Sequence, residues 1–290
     1  MVFSVCNAGA CMPLPVIEKG ISIVTYETLQ CELHQGVGLI WLNRPDLRNA
    51  MNDVMLGELS QALGDALSDE AVRVILLAGR GKAFCAGGDL AWMKKARAMS
   101  PDEARVDSGR LAGVLRLLHQ SPKPTVARVH GAAFAGGMGL VAACDVAVAS
   151  AQTRFCLSEV KLGLIPAMIS PYVIKAIGER QARRYFLTAE VFEAAEAWRI
   201  GLVQAIVPEE ELDGAVNAIL GHLLAAGPQA MGHCKQLIAD VAGRAIDDDL
   251  SADTAARIAQ VRASDEAQEG IAAFFEKRQP AWLASLEHKP

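Results

Sequence analysis

Two glycine-rich stretches, "AFCAGGDL" (residues 83–90) and "AFAGGMGL" (residues 133–140), share most of their letters. Glycine lets a chain turn sharply and approach a ligand closely. At a strand-to-helix junction it also aims free N–H groups from the helix start, where the dipole favours negative charge. One such turn is a common structural device. Two copies at equivalent points of adjacent repeats place two N–H groups around one oxygen, the geometry of an oxyanion hole. Phosphate binding is the competing reading, but neither copy ends in GK[ST] or fits GxGxxG. The second copy lies in "VHGAAFAGGMGLVAACDVAVAS", whose only acidic or basic groups are His130 and Asp145. A proton carrier has to come from elsewhere in the chain.

The elements that must hold these turns are legible as alternating runs. "GLIWLN" (38–43), "VRVILLAG" (72–79), "PTVARVHG" (124–131) and "DVAVAS" (145–150) are short, β-rich and closed by Gly, Asn or Ser. Between them, Met55, Leu56, Leu59, Leu63 and Leu67 recur at helical spacing over 54–67. Ser100-Pro101-Asp102-Glu103 is a capping box with proline at the first helical position, opening a helix that runs to about His119. Ser170-Pro171 opens another, which Gly178 can end. Beyond about residue 157 the chain reads as almost entirely helical, through 209–225, 228–243, 251–262 and 265–277. An α/β core with a helical C-terminal part follows. The glycine stretches begin at Ala83 and Ala133, each after a strand and before a helix. That spacing fits strand-strand-helix turns stacked as a spiral, each burying its face on the next.

Composition limits the partners. The hydrophobic fraction is 52%, aromatics are only 5%, and the formal net charge is −5 with a pI near 5.7. No long basic block favours a nucleic-acid backbone. Seven cysteines, Cys6, Cys11, Cys31, Cys85, Cys144, Cys156 and Cys234, form no CxxC pair and sit mostly in apolar runs. They read as reduced thiols of a cytoplasmic protein, most of them packing as small hydrophobes. The apolar run 131–149 approaches the length a bilayer requires. Asp145 and its glycines instead indicate a buried helix followed by a buried strand, so no membrane span is expected. The uncharged first seventeen residues lack the basic n-region of a secretory signal and read as a loose extension, with Met12 an alternative start.

"NRPDLRNAMN" (43–52), "GKAFCAGGDL" (81–90), "HGAAFAGGMGL" (130–140), "CLSEVKLGLIP" (156–166) and "EGIAAFFEKRQPAW" (269–282) together resemble the crotonase family of enoyl-CoA hydratases and isomerases, in family order over nearly the whole chain. The resemblance implies an α/β fold, a crotonase-like spiral of ββα repeats, with a C-terminal helical region that mediates trimers, often paired into hexamers. It implies a loose extension over 1–22, a spiral core with the CoA site over 23–215 and the helical region over 216–290. The substrate implied is an acyl-CoA thioester. No separate cofactor is implied, coenzyme A being part of the substrate, and no metal.

By motif match, the backbone N–H groups of Gly88 and Gly136 would hold the thioester oxygen as enolate charge develops. Two-glutamate hydratases carry one Glu three positions beyond the second of these glycines; here that position is Gly139. Their other Glu matches Glu159, which alone could be a solvated acid opening a short helix but by the match is the one remaining acid/base group. Arg48, Asn49 and Ala50 match a loop along the CoA adenine and phosphates. Ala86, Asp89, Leu90 and Gly137 flank the oxyanion glycines and are expected to contact the acyl-CoA. Phe274 and Lys277 match positions that reach the CoA, often across a subunit boundary. His130 and Asp145 read as structural, the latter satisfying buried backbone at a strand start.

One carboxylate suffices for a Δ3-to-Δ2 enoyl isomerase, and for hydration if Glu159 activates water and returns a proton to C2. "DLAWM", "CLSEVKLGLIPAMISPYVIKAIGERQARRY" and "EGIAAFFEKRQPAW" closely resemble the bacterial methylglutaconyl-CoA and carboxygeranoyl-CoA hydratases of leucine and acyclic terpene breakdown. That subgroup also has glycine in place of the first Glu. Its substrates carry a second carboxylate, which a glutamate at 139 would repel and whose branched C3 it would crowd. Arg154 and Lys161 are candidates to pair that carboxylate. An animal methylglutaconyl-CoA hydratase of the family also binds RNA through a lysine-rich helix. The corresponding stretch here, 53–73, has five acids and only Arg73 as a base, so no nucleic-acid partner is expected. A catalytically silent acyl-CoA binder is the remaining reading, against which the retained Glu159 argues.

Overall fold

The computed structural model describes residues 22–287. The extension expected over 1–22 lies, but for Ser22, outside them, as do Cys6 and Cys11.

Strands β1 (Ser22–Thr25), β2 (Leu29–His34) and β3 (Val37–Leu42) form an antiparallel meander. From β3 the sheet continues in parallel through β4 (Val74–Gly79), β5 (Thr125–Val129) and β7 (Val146–Ser150) to β10 (Ala205–Val207). Every residue of β3 and β4 is buried. Layers on both faces cover them, which is why they appear in the sequence as continuous rather than alternating apolar runs. A second sheet joins β6 (Ala132–Phe134) in parallel to β8 (Arg154–Cys156), which pairs antiparallel with β9 (Phe192–Glu193).

Two isolated parallel bridges, Met51 with Gly88 and Cys85 with Ala133, extend this small layer across the glycine turns. Each spiral turn thus gives one strand to the large sheet and one segment to the small layer, then returns through helices. These are α1 (Asp53–Ser68), α2 (Leu90–Ala96) with α3 (Pro101–Gln120), α4 (Gly136–Ala143) and α5 (Ser170–Thr188). The apolar face of α1, Met55, Leu56, Leu59 and Leu63, is buried as its spacing requires. The capping box at Ser100 and Glu103 is formed in both directions.

Several expectations need correction. Gly178 (φ 75°) breaks α5 without ending it, and a second helical segment follows at once. The region beyond 157 is not purely helical: β9 precedes α6 (Ala194–Arg199), and β10 completes the large sheet. The core boundary expected at 215/216 cuts through α7 (Leu212–Ala225). Leu212, Val216, Leu220 and Leu224 of that helix are buried with Leu39, Trp41, Leu76 and Val148 of the large sheet, so α7 belongs to the core.

The helices beyond it, α8 (Pro228–Val241), α9 (Asp248–Arg262), α10 (Asp265–Glu276) and α11 (Ala281–Glu287), dock at the N-terminal ends of the parallel strands. Lys235 Nζ pairs with Asp145 at 2.5 Å, just ahead of β7. Arg73, just ahead of β4, donates to the carbonyls of Ala226 (2.7 Å) and Trp282 (2.9 Å). The carboxylate of Glu266 accepts from the N–H groups of Gln229 and Ala230 at the start of α8. Among the described residues no helix is long and apolar enough to cross a membrane.

Candidate active site

The glycine turns lie at the other, C-terminal end of the strands. Three chain segments run side by side there. Ala86 donates its N–H to Arg48 O (2.9 Å), Met51 donates to Gly87 O (2.8 Å), and Asp89 donates to Met51 O (2.8 Å). In this parallel pattern the N–H of Gly88 points away from Met51, toward the next segment. On that side Cys85 donates to Ala132 O (3.0 Å) and accepts from Phe134 N–H (3.0 Å). The chain then passes through Ala135 into α4. Cys85 and Gly88 are three residues apart, as are Ala133 and Gly136, so the Gly88 and Gly136 N–H groups lie at the same end of the two paired segments.

The residue before each donor has a positive φ: Gly87 at 100° and Ala135 at 48°. The latter, with ψ −121°, is unfavourable for a residue with a Cβ. Such strain persists only where the surroundings fix it. Ala135 N–H donates to Cys156 O (2.8 Å), which ties the turn to β8. Turning this peptide aims the Gly136 N–H into the site. A Cβ on Gly136 would overlap Met51 Cε, and one on Gly137 would come within 2.7 Å of Cys85 O. Only glycine lets the layers approach this closely.

Register also delivers the acid. Phe134 pairs with Cys156, so the continuation of β6 into Gly136 and that of β8 into Glu159 leave the same end of the small sheet. Glu159 opens a 3-10 turn, Glu159–Leu162, closed by Gly163 in the left-handed conformation. Burial raises its carboxyl above the ordinary glutamate range, only partly offset by its own backbone N–H. Its Oε2 is buried without a hydrogen-bond partner. Buried polar atoms are nearly always paired, and an unpaired carboxylate oxygen with a raised pKa marks Glu159 as a candidate proton carrier. The expectation of a solvated helix-start acid is not met.

The other candidates divide. Arg48 (φ 50°) and Asn49 (φ 55°) form a left-handed turn. The Asn49 side chain accepts from Arg44 N–H (2.8 Å) and donates to Arg80 O and Ala83 O, clamping the first glycine segment from below. Ala50 O accepts from Arg44 Nη1 at 2.5 Å. Asp89 was expected to contact the acyl-CoA, but its carboxylate is already engaged. Oδ1 accepts from the N–H groups of Ala91 (2.8 Å) and Trp92 (3.1 Å), capping α2, and Oδ2 pairs with Arg44 at 2.8 Å. Burial pushes its pKa up, but these bonds outweigh it and hold the carboxyl below its usual range. Asp89 therefore positions the turn. Ala86 and Gly88 are half-buried, and Leu90 is exposed at the start of α2.

Arg154 begins β8, at the opposite end of that strand from Glu159, whereas Lys161 is exposed on the same 3-10 turn as Glu159. Phe274 lies in the last turn of α10 and Lys277 caps its C-terminal end, and α10 packs on α8 and α9. His130 is structural: burial lowers its pKa, and its Nε2 lies 2.8 Å from Gly81 O. Asp145 accepts from Thr125 N–H at 2.7 Å, as expected of a strand-start acid. The Cys85 thiol is pushed up to about 12 by burial and is inert packing.

Gly139 is not beside open space. A Cβ there would overlap Ile169 Cγ2, come within 2.8 Å of Ile169 Cβ and stand 3.6 Å from Leu115 Cδ2. Sequence reasoning missed Met51, Ala135 and Ile169, because only tertiary packing brings them to the glycine turns.

The chain is similar to known proteins over most of its length. The family model for Enoyl-CoA hydratase/isomerase matches residues 32–285. A crotonyl-CoA hydratase of Syntrophomonas wolfei is 33% identical over 263 residues, 90% of this chain and 100% of that protein. The crystal structure of an enoyl-CoA hydratase from Shewanella pealeana is 44% identical with a TM-score of 0.85, covering 88% of this chain and 96% of its own. The structure of Pseudomonas aeruginosa AtuE is 38% identical with a TM-score of 0.84, covering 89% and 100%. With its stacked ββα turns and paired glycine N–H groups, the chain belongs to the enoyl-CoA hydratase/isomerase family and has the crotonase fold.

Proposed function

We propose that the protein is an enoyl-CoA hydratase in which Glu159 is the sole acid/base group. The observation that carries this is the buried, unpartnered Glu159 Oε2 at the same sheet end as the two glycine N–H donors. The thioester carbonyl accepts from Gly88 N–H and Gly136 N–H. The Glu159 carboxylate takes a proton from water as its oxygen adds to C3, and the electron pair moves to the thioester oxygen. The enolate then collapses, C2 takes the proton from the Glu159 carboxyl, and the carboxylate is restored. The donors are fixed before charge develops, so no reorganisation is needed at the moment of reaction.

The acyl group we propose is 3-methylglutaconyl or a related branched enoyl. The motif resemblance supports it, as does the absence of a carboxylate at Gly139. Lys161, exposed on the turn that carries Glu159, is the better-placed partner for a distal carboxylate. Steady-state assays with crotonyl-CoA, 3-methylglutaconyl-CoA and a 3-enoyl-CoA test this. Expected is a higher kcat/KM for 3-methylglutaconyl-CoA than for crotonyl-CoA. Equal or reversed values indicate a general short-chain hydratase. Turnover of the 3-enoyl-CoA alone indicates the Δ3-to-Δ2 isomerase, which the single carboxylate also suits.

We further propose a trimer, or a dimer of trimers. In such an assembly Phe274 and Lys277 of a neighbouring copy would reach the CoA, as their motif match implies. Phe275 (77% exposed) and Ile246 (94% exposed) leave the C-terminal helices with apolar surface that assembly would cover. Sedimentation should give a trimer or hexamer, and a clean monomer at micromolar concentration contradicts it.

A further inference from the structure

Gly139 lies one helical turn beyond Gly136 on α4, and the space a Cβ on it would need is filled by Ile169. Ile169 is 2% exposed and forms the N-cap of α5. Its carbonyl accepts from the N–H groups of Tyr172 (3.1 Å) and Val173 (3.0 Å), fixing it in the helix start. The chain from Glu159 to Ile169 is one short irregular segment. It is anchored at one end where Leu164 N–H meets Glu159 O (3.1 Å), and at the other by the side chain of Ile169 against Gly139.

We infer that Gly139 and Ile169 form a size-complementary pair that positions the Glu159 segment, with the Ile169 side chain taking the volume a side chain at 139 would need. The pair makes the site a one-carboxylate site by construction. A glutamate cannot be restored at 139 while Ile169 stands there, so Gly139→Glu alone should disrupt the site for every substrate rather than discriminate between them. Ile169 is a positioning residue, and the inference rests on the reading of Glu159 as the acid/base group.

Both Cγ2 and Cβ of Ile169 crowd position 139, so Ile169→Ala would leave an obstruction and Ile169→Gly is the relieving change. Glycine is well tolerated at an N-cap. The variants are Gly139→Ala, Ile169→Gly, the double Gly139→Ala/Ile169→Gly, and Gly139→Glu/Ile169→Gly. They are read by thermal unfolding and by hydration of crotonyl-CoA as a function of pH. Gly139→Ala is expected to lower kcat by about 10²-fold, the typical cost of misplacing a catalytic group by an ångström, with KM changed much less. The double variant should recover much of that loss, and its melting temperature should exceed the sum of the single effects. In Gly139→Glu/Ile169→Gly the acid limb of kcat/KM should move to higher pH than in Ile169→Gly, because a second carboxylate disfavours ionisation of Glu159.

Wild-type kcat in Gly139→Ala, additive single effects, or coincident acid limbs would each overturn the inference. So would failure of every position-139 variant to fold even with glycine at 169, since Ile169 would then not be the obstruction. If the wild-type protein hydrates no enoyl-CoA, the functional reading fails. The unfolding cycle still reports the pair, so the two failures are distinguishable.

Discussion

Glu159→Gln is expected to lower kcat by about 10²–10⁴-fold, the usual range of a general acid–base contribution, while acyl-CoA binding survives. The amide keeps the shape of the carboxylate but cannot take a proton from water or return one to C2. Binding should persist because the Gly88 and Gly136 N–H groups belong to the backbone of other segments. Stability should respond in the opposite sense. Burial raises the folded-state pKa of Glu159 above its unfolded value of about 4.3. The stability linked to this group is therefore fully present below the unfolded pKa and is lost as pH rises through the folded one. Above its raised folded-state pKa the ionised Glu159 burdens the native state, and there Glu159→Gln should melt no lower than the wild type. An inactive variant that also melts well below the wild type would mean that the substitution acts through folding.

Removal of one oxyanion donor should have the next largest effect. Gly88→Pro deletes the N–H and is expected to lower kcat by about 10²–10³-fold. Gly88→Ala is the control. A Cβ there has Met93 Sδ at 3.5 Å, Met93 Cγ at 3.6 Å and Trp92 Cζ3 at 3.9 Å as its nearest neighbours, all ordinary contact distances, so the alanine variant should keep most of its activity. The same comparison is not clean at Gly136, where any side chain overlaps Met51 Cε and would displace the turn as well as the donor. Assays of the two Gly88 variants on one enoyl-CoA decide the matter. Equal losses would point to sterics, and equal retention would remove Gly88 N–H from the mechanism.

Much of this site is legible in the chain, for identifiable reasons. The strands β3, β4, β5 and β7 are buried by neighbouring layers and so leave dense apolar runs between turn residues. The α3 start is written in its capping box. The strands β9 and β10 span only Phe192–Glu193 and Ala205–Val207, too short to show a period of two, and they pair through partners distant in sequence. Gly88, Gly136 and Glu159 are singled out by the family motifs that they match, not by composition or periodicity. Asp89 shows the limit of motif matching. An Asp ahead of an apolar helix is equally a cap, and here its carboxylate is spent on α2 and Arg44. Ala135 carries no sign of its left-handed backbone, since alanine does not favour one. Ile169 carries no sign of its contact with Gly139, because that pairing exists only when α4 and the start of α5 are packed.

The pH dependence of kcat/KM for enoyl-CoA hydration, measured on the wild type and on Glu159→Gln, tests the central claim most directly. A single acid/base carboxylate predicts one acidic ionisation in the wild type, above the ordinary glutamate range because the group is buried, and no such limb in the residual rate of Glu159→Gln. Two acidic ionisations in the wild type, or an acid limb that persists in Glu159→Gln, would mean that another group carries the proton and would contradict the account.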